Sequence, residues 1–358
     1  MTPSEISSAP TALPGNSSAA NPPADPRLSF LLNWIATLTE FNLQPGTLRA
    51  ASNDASFRRY FRIDGDAGQT FIVMDAPQPQ EDVRPFIQVA ELFGATGVTV
   101  PQVLASQVEL GFLLLSDMGS VMYSHQLNQD TAQHLYMDAI DSLVRIQSHS
   151  QPDILPEYDR AMLSRELQIF PEWYINKHLG ATLSDAQQVS LDKVFEQILA
   201  NTMAQPQVYV HRDYHSRNLM VMQQGNPGIL DFQGAMYGPV TYDIVSLLRD
   251  AYIEWDEEQV LDWAIRYWER ARHAGLPIST DIDSFYRDFE FMGLQRHLKI
   301  LGIFCRLAYR DNKPNYLADL PLVLSYVRKT AQRYNTLIPL LRLLDELDNK
   351  TPQVGYTF

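Results

Sequence analysis

A single cysteine, Cys305, occurs in the 358 residues. An internal disulfide is therefore excluded, as is a cysteine metal cluster, and a reducing compartment fits. Long apolar runs are missing too. Nothing approaches the roughly 20 apolar residues of a membrane helix, and no basic region followed by an apolar run opens the chain as a signal peptide does. The expectation is a soluble, cytoplasmic protein. Positive charge is scarce: 28 Lys and Arg stand against 42 Asp and Glu, a formal net charge of −14. A field of that sign argues against nucleic acid or an anionic membrane as the main partner. Nothing in the pattern calls for an obligate protein partner.

What is present is a globular chain, 45% hydrophobic and long enough for about two domains. Residues 1–26 are the exception. They are rich in Pro, Ser and Ala, with Met1, Ile6 and Leu13 as their large apolar residues. Such a segment cannot bury enough surface to offset its ordering entropy, and a disordered tail is expected. Asp25-Pro26 then reads as a helix cap with Pro in the first turn, followed by Leu28, Leu31, Leu32, Ile35 and Leu38 at helical spacing. TLRAAS, SFRRYFRI and TFIVMDA are short β-branched and aromatic runs separated by turn formers, and PQVLAS and GFLLLSD read as two further strands. Between these groups, residues 81–95 place Phe86, Val89, Ala90 and Phe93 on one helical face. Residues 27–117 thus form a small β-rich lobe. The rest, 118–350, is mainly helical, interrupted at 208–232 by VYVHRD and a hairpin turning at Gly225-Asn226-Pro227-Gly228.

That interruption carries the chemistry. His211-Arg212-Asp213-Tyr214-His215-Ser216-Arg217-Asn218 is followed, across the hairpin, by Asp231-Phe232-Gln233. Phosphoryl transfer needs an acceptor hydroxyl in line with the γ-phosphate and cations to neutralise the phosphate oxygens. Asp213 at the loop start suits the base. Asn218 and Asp231 offer hard oxygen ligands suited to Mg²⁺, and a hairpin would bring them together. His211 reads as a structural residue holding the loop, with a general base as the alternative. His215 suits either a substrate contact or loop packing. Arg217 reads as a solvent-facing or loop-bracing cation, with phosphate contact as the alternative.

The spacing H-x-D-x-x-x-x-N, then D-F, resembles the aminoglycoside phosphotransferase family of the protein-kinase-like superfamily. The resemblance extends to Gly238-Pro239 through Tyr242-Asp243, where members have an Asp that braces the catalytic loop. It implies a two-lobed α+β kinase-like fold, ATP as the nucleotide and Mg²⁺ as the metal. It also makes Leu113 through Met118 the hinge, with the Ser116 carbonyl and the Met118 N–H bonding adenine. DASFRRYFR, VMDAP, HRDYHSRNLM, DFQGAMYGPVTYD and LGIFCRLAYRDNKPNYLADLP most resemble bacterial kinases of the cell-wall sugars N-acetylmuramate and N-acetylglucosamine. Those enzymes phosphorylate the anomeric hydroxyl, and the α-1-phosphate feeds UDP-sugar synthesis in peptidoglycan recycling. A kinase of another alcohol, such as an aminoglycoside or choline, stays open, as does a non-catalytic nucleotide-binding regulator.

Three departures matter. No glycine-rich phosphate loop is present; Asn53-Asp54-Ala55-Ser56-Phe57 occupies that turn. Met74 stands where the family has its ATP-binding Lys, and Phe86 stands near the Glu partner. Losing both is coherent, since either alone would be an unpaired buried charge. Arg58, Arg59 and Arg62, or backbone N–H groups near Ser56, are left to meet the triphosphate; the arginines also suit a strand edge guarded against aggregation. On the acceptor side, Arg296, Lys299, Arg306, Arg310 and Lys313 recur at spacings close to a helical stripe. Such a stripe suits an anionic or neutral polar acceptor, with Arg306 and Arg310 as substrate contacts, or else a solvated helix face.

Overall fold

The computed structural model describes residues 25–52 and 57–348. The tail read at 1–26 lies outside these except for Asp25 and Pro26, and Ser56 lies outside them too. Helix α1 (Pro26–Ile35) begins where expected. The Asp25 side chain accepts the Arg27 N–H, and Pro26 sits where the helix needs no donor.

Five antiparallel strands follow: β1 (Gln44–Ser52), β2 (Arg59–Asp64), β3 (Thr70–Asp75), β4 (Val103–Gln107) and β5 (Phe112–Ser116). Their order is β1-β2-β3-β5-β4. The two-residue period of a strand sorts their side chains between two faces. Val73, Phe112 and Leu114 pack with Leu31, Trp34 and Ile35 of α1. Met74, Leu113 and Leu115 belong to a second core with Phe86, Val89 and Phe93 of α2 (Arg84–Gly94). That second core runs on into the helical half, so one face of the sheet ties the lobes together.

The larger half contains α3 (Tyr123–Gln126), α4 (Ala132–Ser148), α5 (Arg160–Ile169), a π-helical segment (Phe170–His178) and α6 (Asp185–Ala204). The strand pairs β6 (Gln207–Val210) with β9 (Met236–Pro239), and β7 (Leu219–Met220) with β8 (Gly228–Ile229), come next. Helices α7 (Tyr242–Leu248), α8 (Glu257–His273), α9 (Ile282–Tyr309), α10 (Leu320–Arg333) and α11 (Ile338–Leu347) complete it. The fold is two-lobed α+β. Residues 320–347 are two helices, parted near Tyr334. Among the described residues no helix is long and apolar enough to cross a membrane.

Helix α9 is the spine of the larger lobe. It packs against α5, the π-helical segment, α6, α7 and α10 and is buried along most of its 28 residues. Gly302 is where it crosses the end of α5: a Cβ there would lie 2.4 Å from the Ile169 carbonyl oxygen. Backbone cannot step aside as a side-chain tip can. Gly302→Ala should therefore cost about 1–3 kcal/mol, read as a lowered melting temperature. Gly293→Ala on the same helix, whose Cβ would meet the Val245 side chain at 3.4 Å, should be tolerated far better.

Candidate active site

Strand β6 delivers His211, and its pairing with β9 brings Asp243, at the start of α7, beneath the loop. The buried Asp243 carboxylate accepts the His211 N–H at 2.6 Å and the Arg212 N–H at 2.9 Å. Burial pushes its pKa up to about 7 against the pull of these two donors. Arg212 has φ of +77°, a region that favours glycine. Its guanidinium is held by Glu166 at 2.9 Å and lies over the Tyr158 ring. The His211 ring is buried between two bonds. Nε2 lies 2.8 Å from the Leu230 carbonyl, and Nδ1 lies 3.2 Å from the Asp213 N–H. A neutral ring with its proton on Nε2 satisfies both, and burial depresses its pKa to about 4. His211 thus ties the loop to the residue that precedes Asp231.

The short β7–β8 hairpin does what its sequence suggested. Leu219 pairs with Ile229, and the Leu230 N–H bonds the Asn218 carbonyl at 2.9 Å. Asn218 therefore lies beside the residue preceding Asp231, and both line one cleft. The Asn218 side-chain nitrogen donates to the Asp213 carbonyl at 2.9 Å, which leaves its amide oxygen for a cation. Asp231 has φ of +60°, a strained position of the kind found at functional sites, and accepts from the Gln233 amide at 2.6 Å. Asp213 faces the cleft. Its side chain is solvent-exposed there; partial loss of hydration in the cleft would raise its pKa, but the charges of Lys299, His215 and Arg296 outweigh that and hold the carboxyl below its ordinary value.

These three residues share one cleft of about 700 Å³ between the lobes. Ser116 and Met118, at and just after the end of β5, line its far side, with Ile72, Leu115, Met220 and Leu230 as apolar walls. The Met118 N–H has no partner among the described residues, and Ser116 Oγ accepts the Gln102 N–H at 2.9 Å. Met74 and Phe86 are buried and apolar, with Phe86 packed 4.8 Å from the Phe232 ring. The two positions where the resemblance places a Lys and its Glu partner are thus filled by core.

The three arginines of the small lobe part company. Arg59 turns to the α1 side and binds Asp25 and Asp75. Arg62 lines the cleft but braces the segment after β5, donating to Asp117 at 2.5 and 2.9 Å and to the Gly119 carbonyl at 2.7 Å. Arg58 donates to Glu81 at 3.0 and 3.1 Å and stands 3.9 Å from Asp231. The sequence offered no reason to single out Glu81.

On the acceptor side the basic stripe breaks up. Arg310 lies past the end of α9, exposed and bonded to Asp311 at 2.7 and 2.9 Å. Arg306 is half-buried, and neither residue lines the cleft. Arg296 and Lys299, the N-terminal members, do line it and are buried. Lys299 bonds Glu166 at 3.1 Å and the Tyr242 hydroxyl at 3.0 Å. Glu166, which no motif marked, gathers Lys299, Arg212, Gln295 and the Tyr158 hydroxyl under the 211–218 loop. His215 lines the cleft with its ring against Tyr252 at 5.6 Å, and Arg217 covers the Tyr252 ring at 3.4 Å. Tyr252, Phe304, Tyr316 and Ile303 form an aromatic and aliphatic wall. Among the described residues no cluster of three His, Cys, Asp or Glu could cage a metal. One carboxylate and one amide oxygen suit an ion that completes its shell with substrate phosphates, as Mg²⁺ does.

Residues 47–276 match the phosphotransferase enzyme family. The chain is 46% identical to an N-acetylmuramate/N-acetylglucosamine kinase of Neisseria meningitidis serogroup B, over 92% of this chain and 98% of that one. It is 47% identical to a protein of the same name from Pseudomonas putida, over 84% of this chain and 88% of the other. Its fold is similar to that of choline kinase LicA from Streptococcus pneumoniae, with a TM-score of 0.60 at 11% identity, over 84% of this chain and 99% of that one. The ADP-bound aminoglycoside phosphotransferase APH(2'')-Ib gives 0.56 at 14% identity, over 85% and 97% of the two chains.

Proposed function

The chain belongs to the phosphotransferase enzyme family, and from that premise we propose that it transfers the γ-phosphoryl group of ATP to the anomeric hydroxyl of N-acetylmuramate and N-acetylglucosamine. The observation that carries this reading is the convergence of Asp213, Asn218 and Asp231 in one interlobe cleft with the hinge at one end and an aromatic wall at the other. In this reading residues 27–117 form the nucleotide lobe and 118–350 the catalytic and acceptor lobe. Adenine lies between the apolar walls, bonded by the Ser116 carbonyl and the Met118 N–H. Asn218 and Asp231 hold Mg²⁺, which when bound neutralises charge on the phosphate oxygens. Asp213 accepts the acceptor's proton as that oxygen bonds phosphorus and the bond to ADP breaks. An anomeric hydroxyl is more acidic than an ordinary alcohol, so a carboxylate suffices as base. The aromatic wall suits the apolar face of a pyranose ring, and His215 borders it. The α-1-phosphate product is the form that nucleotide-sugar synthesis consumes.

A magnesium-ATP assay over a panel of amino sugars, aminoglycosides and choline tests the reading. ADP release should require N-acetylmuramate or N-acetylglucosamine, and phosphorus NMR of the product should show an anomeric phosphate. Turnover with choline or an aminoglycoside but neither sugar would overturn it. No nucleotide consumption with any acceptor would instead favour a binding regulator.

Arg58 is the phosphate contact of this proposal, since from its pair with Glu81 it stands 3.9 Å from Asp231, the proposed metal ligand. Arg58→Ala should raise the KM for ATP about ten- to a hundred-fold, the worth of a charge-assisted hydrogen bond, and change the KM for sugar much less. Arg59→Ala, on the opposite face of the sheet, should leave both constants near wild type. Equal KM values for ATP in wild type and Arg58→Ala would mean that the phosphates are held elsewhere.

A further inference from the structure

Arg296 is a buried cation without a hydrogen-bonding or ion-pair partner among the described residues. It is 3% exposed and lines the cleft. Its guanidinium makes no hydrogen bond or ion pair among the described residues, and Nη1 is enclosed with no acceptor. Buried charges are ordinarily paired, because desolvation otherwise costs more than the fold recovers. The other buried cations of this lobe follow that rule. Lys299, three residues along the same helix, is committed to Glu166, and Arg249 is committed to Glu257 and Glu290. Asp213 lies close enough for its charge to be felt, but it does not bond Arg296 and faces the cleft. The exception therefore sits on the acceptor side of the base, next to the apolar Ile300, Ile303 and Phe304. A fork of donors in a half-apolar pocket is a receptor for a carboxylate carried on a largely apolar face.

We propose that Arg296 binds the lactyl carboxylate of N-acetylmuramate and so sets the preference between the two sugars. The proposal rests on the amino-sugar reading above. It replaces Arg306 and Arg310, which lie outside the cleft, with a residue whose hydrogen-bonding capacity is unspent. N-acetylglucosamine lacks the carboxylate and makes only neutral contacts at this position.

The test compares N-acetylmuramate, its methyl ester and N-acetylglucosamine with wild type, Arg296→Met and Arg296→Lys. At pH 8, Arg296→Met should lower the ratio of kcat/KM for N-acetylmuramate over N-acetylglucosamine by about ten- to a hundred-fold. Arg296→Lys should recover part of the ratio, and the ester should behave like N-acetylglucosamine with the wild-type enzyme. An unchanged ratio would overturn the proposal, whether both rates fall together, as for a residue acting on the phosphoryl group, or neither moves. If Arg296→Met does not fold, the acid and ester still decide: equal kcat/KM with wild type would overturn it. Failure of the underlying reading looks different, since wild type would then phosphorylate none of the three compounds, and the inference would fall with it.

Discussion

Asp213→Asn should lower kcat by about 10²- to 10⁴-fold, the usual effect of removing a positioned general base. The substitution keeps the side chain's shape and removes its proton affinity. It should also leave the loop standing, because the bonds that anchor position 213 use backbone atoms. The Asp213 N–H donates to His211 Nδ1, and its carbonyl accepts from Asn218. Asp243 holds the neighbouring His211 and Arg212 N–H groups without touching the Asp213 side chain. Sugar binding measured by calorimetry should therefore survive while turnover falls. Lys299, His215 and Arg296 depress the Asp213 pKa against the partial desolvation of the cleft, so the proposed base is ionised well below neutrality. Wild-type kcat/KM should then show no acid limb due to Asp213 above about pH 5. Near-normal turnover in Asp213→Asn would remove this residue from the mechanism.

The loop and hairpin were legible in the sequence because their chemistry is local. Eighteen positions separate Asp213 from Asp231, and a Gly-Asn-Pro-Gly turn between two short apolar runs determines how that segment doubles back. The strands of the small lobe were legible for the same reason. Long-range partners were not. Glu166 lies 133 positions from Lys299 and 46 from Arg212, and no spacing rule predicts that one carboxylate will gather both. Arg59 shows the complementary failure. It sits beside Arg58 in a run that reads as one basic edge, but the strand period of two sends adjacent side chains to opposite faces. One goes to Asp75 and the other toward Asp231. The stripe on α9 misled because helical spacing identifies a face without saying what covers it. The face is buried at Arg296 and Lys299, but the helix ends at Tyr309, leaving Arg310 in solvent.

Asp231→Ala should abolish magnesium-dependent turnover, a loss of about 10³-fold or more if the ion's charge stabilisation amounts to several kcal/mol. The argument is electrostatic. Asp231 brings the formal negative charge to the proposed metal site, whereas Asn218 brings a neutral oxygen. Asn218→Ala should therefore reduce turnover less and raise the magnesium concentration needed for half-maximal rate. Asp231→Ala alone is open to a backbone objection, because φ of +60° is costly for Ala. Asp231→Asn answers it: Asn tolerates the left-handed region and matches the carboxylate's shape, so only the charge is lost. If the ion is the reason for the residue, Asp231→Asn should melt close to wild type yet need far more magnesium. Loss of the charge should also weaken the hold on Arg58, which stands 3.9 Å away, so the KM for ATP should change along with the metal requirement. Wild-type magnesium titrations in both Asp231→Asn and Asn218→Ala would mean that the hairpin does not hold the metal. In that case its strained Asp231 would need another explanation.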